Sequence, residues 1–233
     1  MDSLTAIAYM RSDFPSKFGI PRQSGIVETL ESRIVFEPEY RNIDALRGLE
    51  GFSHVWIIWG FSLSERHTWS PTVRPPRLGG NIRMGVFATR SPFRPNPIGL
   101  SCVKILDIRE HSSGGPVIIV QGADLMDGSP IYDIKPYIPY TDCCPDAIGG
   151  FANDQPSAKL NVVVEDKWLE VLPDGRDRAL IDVLALDPRP SYQNEPGRVY
   201  GFEFAGCEVK FNVNGDSLTV LEIKHIGERS CLD

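Results

Sequence analysis

Leu100-Ser101-Cys102-Val103-Lys104-Ile105-Leu106-Asp107-Ile108, a break at Gly114-Gly115-Pro116, and Val117-Ile118-Ile119-Val120-Gln121 decide the fold class of this 233-residue chain. Both runs are rich in β-branched residues and have the length of strands, and the glycine-proline cluster between them cannot continue either one. Working outward, residues 4–10, 25–36, 54–61 and 83–88 read the same way, with Gly79-Gly80-Asn81 as another clear break. Several short strands without regular intervening helices favour a mainly β protein, built as an antiparallel β-barrel, over a parallel βαβ sheet. A short helix fits between Phe36 and His54, where Asn42-Ile43-Asp44 is able to cap a turn over 45–49.

The pattern changes near residue 155. Residues 141–156, with Cys143-Cys144-Pro145 and Gly149-Gly150, are polar and broken. Beyond them, 160–164 reads as a strand and 174–186 as an amphipathic helix, with Ala179, Leu180, Val183, Leu184 and Leu186 on one side. Asp187-Pro188-Arg189-Pro190 stops that helix, because proline cannot extend it. Two hairpins follow: 199–204 turns at Ala205-Gly206 into 208–213, which turns at Asn214-Gly215 into 218–223. The expected organisation is a β-barrel domain over 1–142, a connector over 143–156 and a small C-terminal α+β domain over 157–233.

The net charge of −7 argues against general affinity for polyanions, but the charge is unevenly placed. Between Arg66 and Leu106 there is no Asp or Glu, while Arg66, Arg74, Arg77, Arg83, Arg90, Arg94 and Lys104 supply seven positive charges. The rest of the chain holds 24 − 7 = 17 basic residues against all 31 acidic ones. A basic island on an acidic body holds an anionic ligand locally; the alternative is that these arginines pair with the acidic remainder. No run of about 18 apolar residues crosses a membrane, and Met1-Asp2-Ser3-Leu4 does not open a signal peptide. The five cysteines (102, 143, 144, 207 and 231) show no metal-binding spacing and read as reduced thiols of a cytoplasmic protein, so no metal site is expected.

Three segments carry polar groups suited to chemistry. Pro21-Arg22-Gln23 offers a guanidinium and an amide for a purine edge or a carboxylate, although alone it reads more readily as a surface loop. Arg74-Pro75-Pro76-Arg77-Leu78-Gly79-Gly80-Asn81 and Gly85-Val86-Phe87-Ala88-Thr89-Arg90-Ser91-Pro92-Phe93-Arg94-Pro95-Asn96-Pro97-Ile98-Gly99 alternate arginines with prolines and glycines. Stiff loops that display arginine suit phosphates and carboxylates, and Phe93 is placed to stack on a base. Asp124-Leu125-Met126-Asp127-Gly128-Ser129-Pro130 and Asp133-Ile134-Lys135-Pro136-Tyr137 place acids where a cationic or hydroxyl-bearing ligand would need them, though Asp127-Gly128 reads equally as a turn. No G-x-G-x-x-G, P-loop, H-E-x-x-H or G-x-S-x-G occurs, so Rossmann cofactor binding has no support. The residues alone describe a β-rich protein with an arginine-lined site for an anionic ligand.

At these segments the chain resembles the TrmO family of tRNA N6-methyltransferases that act on threonylcarbamoyl-adenosine. The matching stretches are Pro21-Arg22-Gln23, Arg47-Gly48-Leu49-Glu50-Gly51-Phe52-Ser53-His54, residues 71–81, 84–101 and 127–137, and Asp187-Pro188-Arg189-Pro190. The resemblance implies a non-Rossmann barrel methyltransferase that works as a homodimer with S-adenosylmethionine in a cleft of the barrel. Its substrate is position 37, beside the anticodon, in the stem-loop of threonine tRNA. The implied cofactor contacts are Pro21, Arg22, Gln23, Ser62, Leu63, Arg90, Leu100, Gly122, Ala123, Asp124 and Leu125, those at Ser62-Leu63 made through the backbone, where some members carry polar residues. Asp124 is expected on the cofactor ribose or amine. The chemistry suggests Asp133 as a base for the N6 proton, with Lys135 and Tyr137 orienting substrate. Arg74, Arg77, Phe93, Arg94, Asn96 and Arg189 are the expected tRNA contacts. Two alternatives stay open: a non-catalytic barrel that binds an anionic ligand or RNA, and a methyltransferase of the same fold with another substrate.

Overall fold

A computed structural model describes residues 4–62, 69–111, 114–153, 159–189, 195 and 197–227. The first half contains β1 (Ala8–Arg11), β2 (Glu31–Phe36), β3 (His54–Gly60), β4 (Thr72–Val73), β5 (Met84–Gly85), β6 (Ile98–His111), β7 (Gly115–Gln121) and β8 (Pro130–Pro136). Six of these hydrogen-bond in the order β1-β2-β7-β6-β3-β8 and close into a barrel, every pairing antiparallel. Closure needs only two residue pairs, Ala8 with Ile131 and Tyr9 with Pro130. Alternation does the sorting: Ile34 and Phe36 of β2 and Val55, Ile57 and Trp59 of β3 point inward, where they meet Val103, Ile118, Val120 and Leu125.

Three expectations need correcting. Residues 83–88 give a two-residue strand and a 3-10 turn (Val86–Ala88), because β5 pairs only with β4 in a separate ribbon. The expected helix between Phe36 and His54 is three 3-10 turns, although the Asn42 side chain does accept from Asp44 N at 3.0 Å. Strand β8 escaped the strand reading because a bulge opposite Ile58/Trp59 slips its register, so Ile131 and Ile134 both face the core and strict alternation is lost.

The chain then passes through α1 (Pro139–Asp142) and exposed residues 143–150 to β9 (Asn161–Val163), α2 (Asp166–Leu169) and α3 (Asp177–Ala185). Strands β10 (Tyr200–Phe204), β11 (Cys207–Asn214) and β12 (Ser217–His225) form a sheet in the order β10-β11-β12-β9, with β9 parallel to β12. Helix α3 buries Ala179, Leu180, Val183 and Leu184 as its periodicity requires. Ala205 and Gly206 both take positive φ (50° and 77°), the backbone of a tight two-residue hairpin. The second turn sits one residue later than Asn214-Gly215: Asn214 pairs with Ser217, so Gly215-Asp216 form the loop and Val213 and Leu218 both stay buried.

The second core is not made by the second half alone. Phe14, Val27 and Leu30 belong to it, beside Phe202, Phe204, Val209 and Phe211. Residues 12–30, between β1 and β2, therefore send Phe14, Val27 and Leu30 into the C-terminal unit, while Ser12, Phe14, Gly25 and Leu30 stay hydrogen-bonded to barrel residues 122–127. Among the described residues no helix is long and apolar enough to cross a membrane.

Candidate functional site

Where β3 ends and β6 begins, one mouth of the barrel opens into a cavity of about 560 Å³, a size that suits a nucleoside-scale ligand. Its floor is Trp59, Ser101 and Asp124; Phe61, Gly99 and Leu100 form one side. The loops carrying Lys17 to Gln23 and Thr89 to Arg94 form the rim. Gly99 is required there. A Cβ on it would lie 2.2 Å from Trp59 Cε2, so only glycine lets the indole cross the strand. The buried Trp59 donates from Nε1 to Ser101 Oγ at 3.0 Å, and Ser101 donates to Asp124 Oδ1 at 2.6 Å.

Burial pushes the Asp124 carboxyl above the ordinary carboxylate range, offset in part by the Ser101 hydrogen bond and the Arg90 charge. Asp124 is the single carboxylate among the described lining residues, against Lys17, Arg22, Arg90 and Arg94. The mouth is accordingly positive and suited to an anionic ligand, while Asp124 is able to accept from a hydroxyl or an amine. Arg90 donates from Nη1 to Gln23 Oε1, which ties the two rim loops together. The second rim loop is also tied to itself: Thr89 Oγ1 donates to Val86 O at 2.8 Å, and Arg94 Nη1 donates to Thr89 O at 3.2 Å. Local hydroxyl bonds and prolines leave little backbone to order on binding.

Of the expected cofactor residues, Pro21, Arg22, Gln23, Ser62, Arg90, Leu100 and Asp124 line this cavity. Leu63 lies outside the described residues. Gly122, Ala123 and Leu125 stand behind the wall: Ala123 and Leu125 are buried in the barrel core. Gly122 (φ 79°) donates to Leu30 O and accepts from Gly25 N, each at 2.8 Å, so it fixes backbone. Trp59, Phe61, Gly99 and Ser101 were missed as site residues. Ser101 could have been found as a polar residue at an inward-facing position of an otherwise apolar strand.

Among the expected tRNA contacts, Phe93 and Arg94 line the cavity, and Arg74 and Asn96 are exposed in the loops after β4 and before β6. Arg77 contributes backbone to a 3-10 turn (Pro76–Leu78), and its side chain lies outside what is described. Arg189 grips both Asp187 oxygens, at 2.7 and 2.8 Å, with its side chain 10 % exposed. It is held inward and is not a surface cation.

Asp133, Lys135 and Tyr137 do not line the cavity. Asp133 and Lys135 pair with each other at 2.8 Å on the outer wall, and Asp133 also accepts from Ile134 N. Tyr137 packs against Trp56 and His54, with centroids 5.7 and 6.3 Å away. These three are in this chain a surface group, and the trio is not brought to the floor formed by Ser101 and Asp124. Among the described residues no group of three or more His, Cys, Asp or Glu is disposed to hold a metal ion.

An antiparallel barrel with a positive rim and an apolar-walled, nucleoside-sized cavity defines a class of barrel whose site suits an anionic ligand carrying an aromatic group. Comparison with known proteins gives the family. Residues 9–143 match the tRNA-methyltransferase O N-terminal domain and residues 160–226 the TrmO C-terminal domain, and the chain belongs to the TrmO family. It is 41 % identical to the tRNA (adenine(37)-N6)-methyltransferase of Escherichia coli strain K12, over 94 % of this chain and 96 % of that one. It is 38 % identical to a putative S-adenosylmethionine-dependent methyltransferase of Pseudomonas aeruginosa, over 95 % and 97 %. The crystal structure of TrmO from Pseudomonas aeruginosa superposes with a TM-score of 0.76 at 32 % identity, covering 96 % of this chain and 99 % of that one.

Proposed function

We propose that this chain transfers the methyl group of S-adenosylmethionine to N6 of adenosine 37 in tRNA, and that the adenosine it accepts is the threonylcarbamoyl form found beside the anticodon of threonine tRNA. The reading includes a non-Rossmann barrel methyltransferase, a homodimeric assembly and a cytoplasmic setting. The observation that carries it is the cavity itself, which joins an apolar aromatic wall, one buried carboxylate and a ring of arginines in a family of tRNA methyltransferases.

The residues present fit S-adenosylmethionine. Trp59, Phe61 and Leu100 offer apolar faces for adenine, Asp124 an acceptor for ribose hydroxyls or the amine, and Arg22 and Arg90 partners for the carboxylate. When bound, the cofactor supplies an electrophilic methyl group on a sulfonium. The chain aligns and dries the site: the tied rim loops fix the approach, and the wall of Trp59 and Phe61, their rings 4.3 Å apart, excludes water. No strong anion belongs beside a bound sulfonium, because its positive charge would be dispersed on the way to the transition state. A buried Asp124, engaged with Ser101, satisfies that condition. Arg94 and Arg74 face the phosphates or the threonyl carboxylate, and Phe93 a neighbouring base.

The test is incubation of the protein with labelled S-adenosylmethionine and two tRNA preparations, one with threonylcarbamoyl-adenosine and one lacking it, followed by nucleoside mass analysis. Label is expected on the modified adenosine alone. Label on another nucleoside would assign a different substrate, and cofactor binding without transfer to either preparation would reject this one.

A further inference from the structure

We infer that the C-terminal unit positions the Pro21-Arg22-Gln23 wall of the cofactor cavity, with Arg176 and Phe202 as positioning residues for the cofactor; this rests on reading the cavity as the S-adenosylmethionine site. The wall belongs in sequence to the barrel, which holds its far end through Arg90 Nη1 on Gln23 Oε1 and through Gly25 N on Gly122 O at 2.8 Å. Among the described residues, no backbone–backbone hydrogen bond joins residues 15–24 to a barrel strand.

The apolar support comes from the other side. Phe14 lies edge-on to Phe204 with centroids 5.3 Å apart, and Phe18 tilts onto Phe202 at 6.1 Å. Gly19, at φ 90°, brings the backbone onto the Phe202 ring so closely that a Cβ would lie 2.6 Å from Cδ2. Ile20 packs against the second core and also lines the cavity, so one side chain touches both. The two ends of the excursion are anchored separately. Before it, Arg176 Nε lies 2.8 Å from Asp13 Oδ2, with side chains 26 % and 14 % exposed. That contact is close but poorly aligned as a hydrogen bond, and it holds as an ion pair. Asp13 O accepts from Ala205 N at 2.8 Å. After it, Thr29 Oγ1 donates to Asp182 Oδ2 of α3 at 2.9 Å.

The wall is therefore held between the C-terminal unit, which packs on Phe14, Phe18 and Ile20, and the barrel rim, which holds Gln23, while the floor is placed by the barrel alone. A ligand seated on both bridges the two units, and its affinity includes the cost of any wall that is not already in position. If the wall is competent in only about a tenth of the molecules, apparent affinity drops about tenfold with every contact intact.

The experiment uses the full-length chain with Arg176→Met, Arg176→Lys and Phe202→Leu, titrated calorimetrically with S-adenosylmethionine and assayed with modified tRNA. Amide hydrogen exchange is followed at residues 17–23, at β6 and at β11. Arg176→Met and Phe202→Leu are expected to raise the cofactor Kd and KM about tenfold, with kcat at saturating cofactor and the KM for tRNA unchanged. Amides 17–23 exchange faster while β6 and β11 keep their protection, and Arg176→Lys restores most of the affinity. Wild-type cofactor affinity in Arg176→Met and Phe202→Leu overturns the inference, whether or not β11 stays protected. Failure of the wild-type chain to bind S-adenosylmethionine rejects the functional reading instead. Exchange at 17–23 needs no ligand and judges the positioning by itself: unchanged rates in both variants overturn it.

Discussion

The two cores of this molecule are filled on different terms. The barrel core is mostly aliphatic (Ala8, Met10, Ile34, Val55, Ile57, Ile118), with Phe36 and Trp59 among it, and is drawn mainly from strands whose alternation is plain in the sequence. The C-terminal core adds a cluster of aromatic rings (Tyr200, Phe202, Phe204, Phe211) to the aliphatic residues of α3 and the sheet, and is completed by Phe14, Val27 and Leu30, which arrive from between two barrel strands. Strand order alone makes the first core; the second depends on a loan from the first. The lent segment is also the one that carries the cavity wall, so stability of one unit and ligand affinity of the other share residues.

The sharpest way to break that arrangement is Phe14→Ala. Removing a fully buried phenylalanine costs about 3–5 kcal/mol. Calorimetry should show the C-terminal unit melting first, ahead of the barrel; a single unshifted transition would mean that the cores are independent of Phe14. A smaller effect is expected inside the barrel. Gly99→Val drives a side chain into Trp59 and costs about 1–3 kcal/mol. It should abolish cofactor binding in titrations while leaving the C-terminal transition where it was.

The smallest effect concerns Asp124. Its folded-state carboxyl is raised by burial, so the folded protein holds that proton longer than the unfolded chain. The resulting penalty is absent below about pH 4, grows as pH rises through the raised value and is constant above it. Asp124→Asn should therefore raise Tm by about 2 °C at neutral pH, lose that gain in acid, and weaken cofactor binding at every pH. Equal Tm gains at both pH values would show that the effect is packing rather than charge.

Much of this was legible in the residues, and the remainder was hidden for physical reasons. Strands β2, β3, β6 and β7 and both C-terminal hairpins follow from alternation and turn chemistry. The rim was legible in part: Arg90, Phe93 and Arg94 stand out by composition, Pro21-Arg22-Gln23 only through the family resemblance, and all line the cavity. Sidedness was harder. A bulge in β8 hides which of its residues face out, and Asp133 and Lys135 turned out to pair with each other on the outer wall. Arg189 resembled a surface cation until Asp187, two residues before it, was seen to occupy its guanidinium. The crossing of residues 12–30 into the second core has no local signature, because its partners lie more than 150 positions away.

The two-pair seam between β1 and β8 has a kinetic meaning. It joins Ala8 to Ile131, a separation of 131 − 8 = 123 positions, whereas β6 and β7 meet across a short hairpin. Loop-closure entropy places the hairpin early and the seam late along the folding route, since distant contacts become favourable only after nearer ones have formed. Because Ile7 and Met10 donate across that seam to Ile131 and Ser129, and Ser129 also lines the cavity, the last stitch of the barrel is sewn beside the cavity.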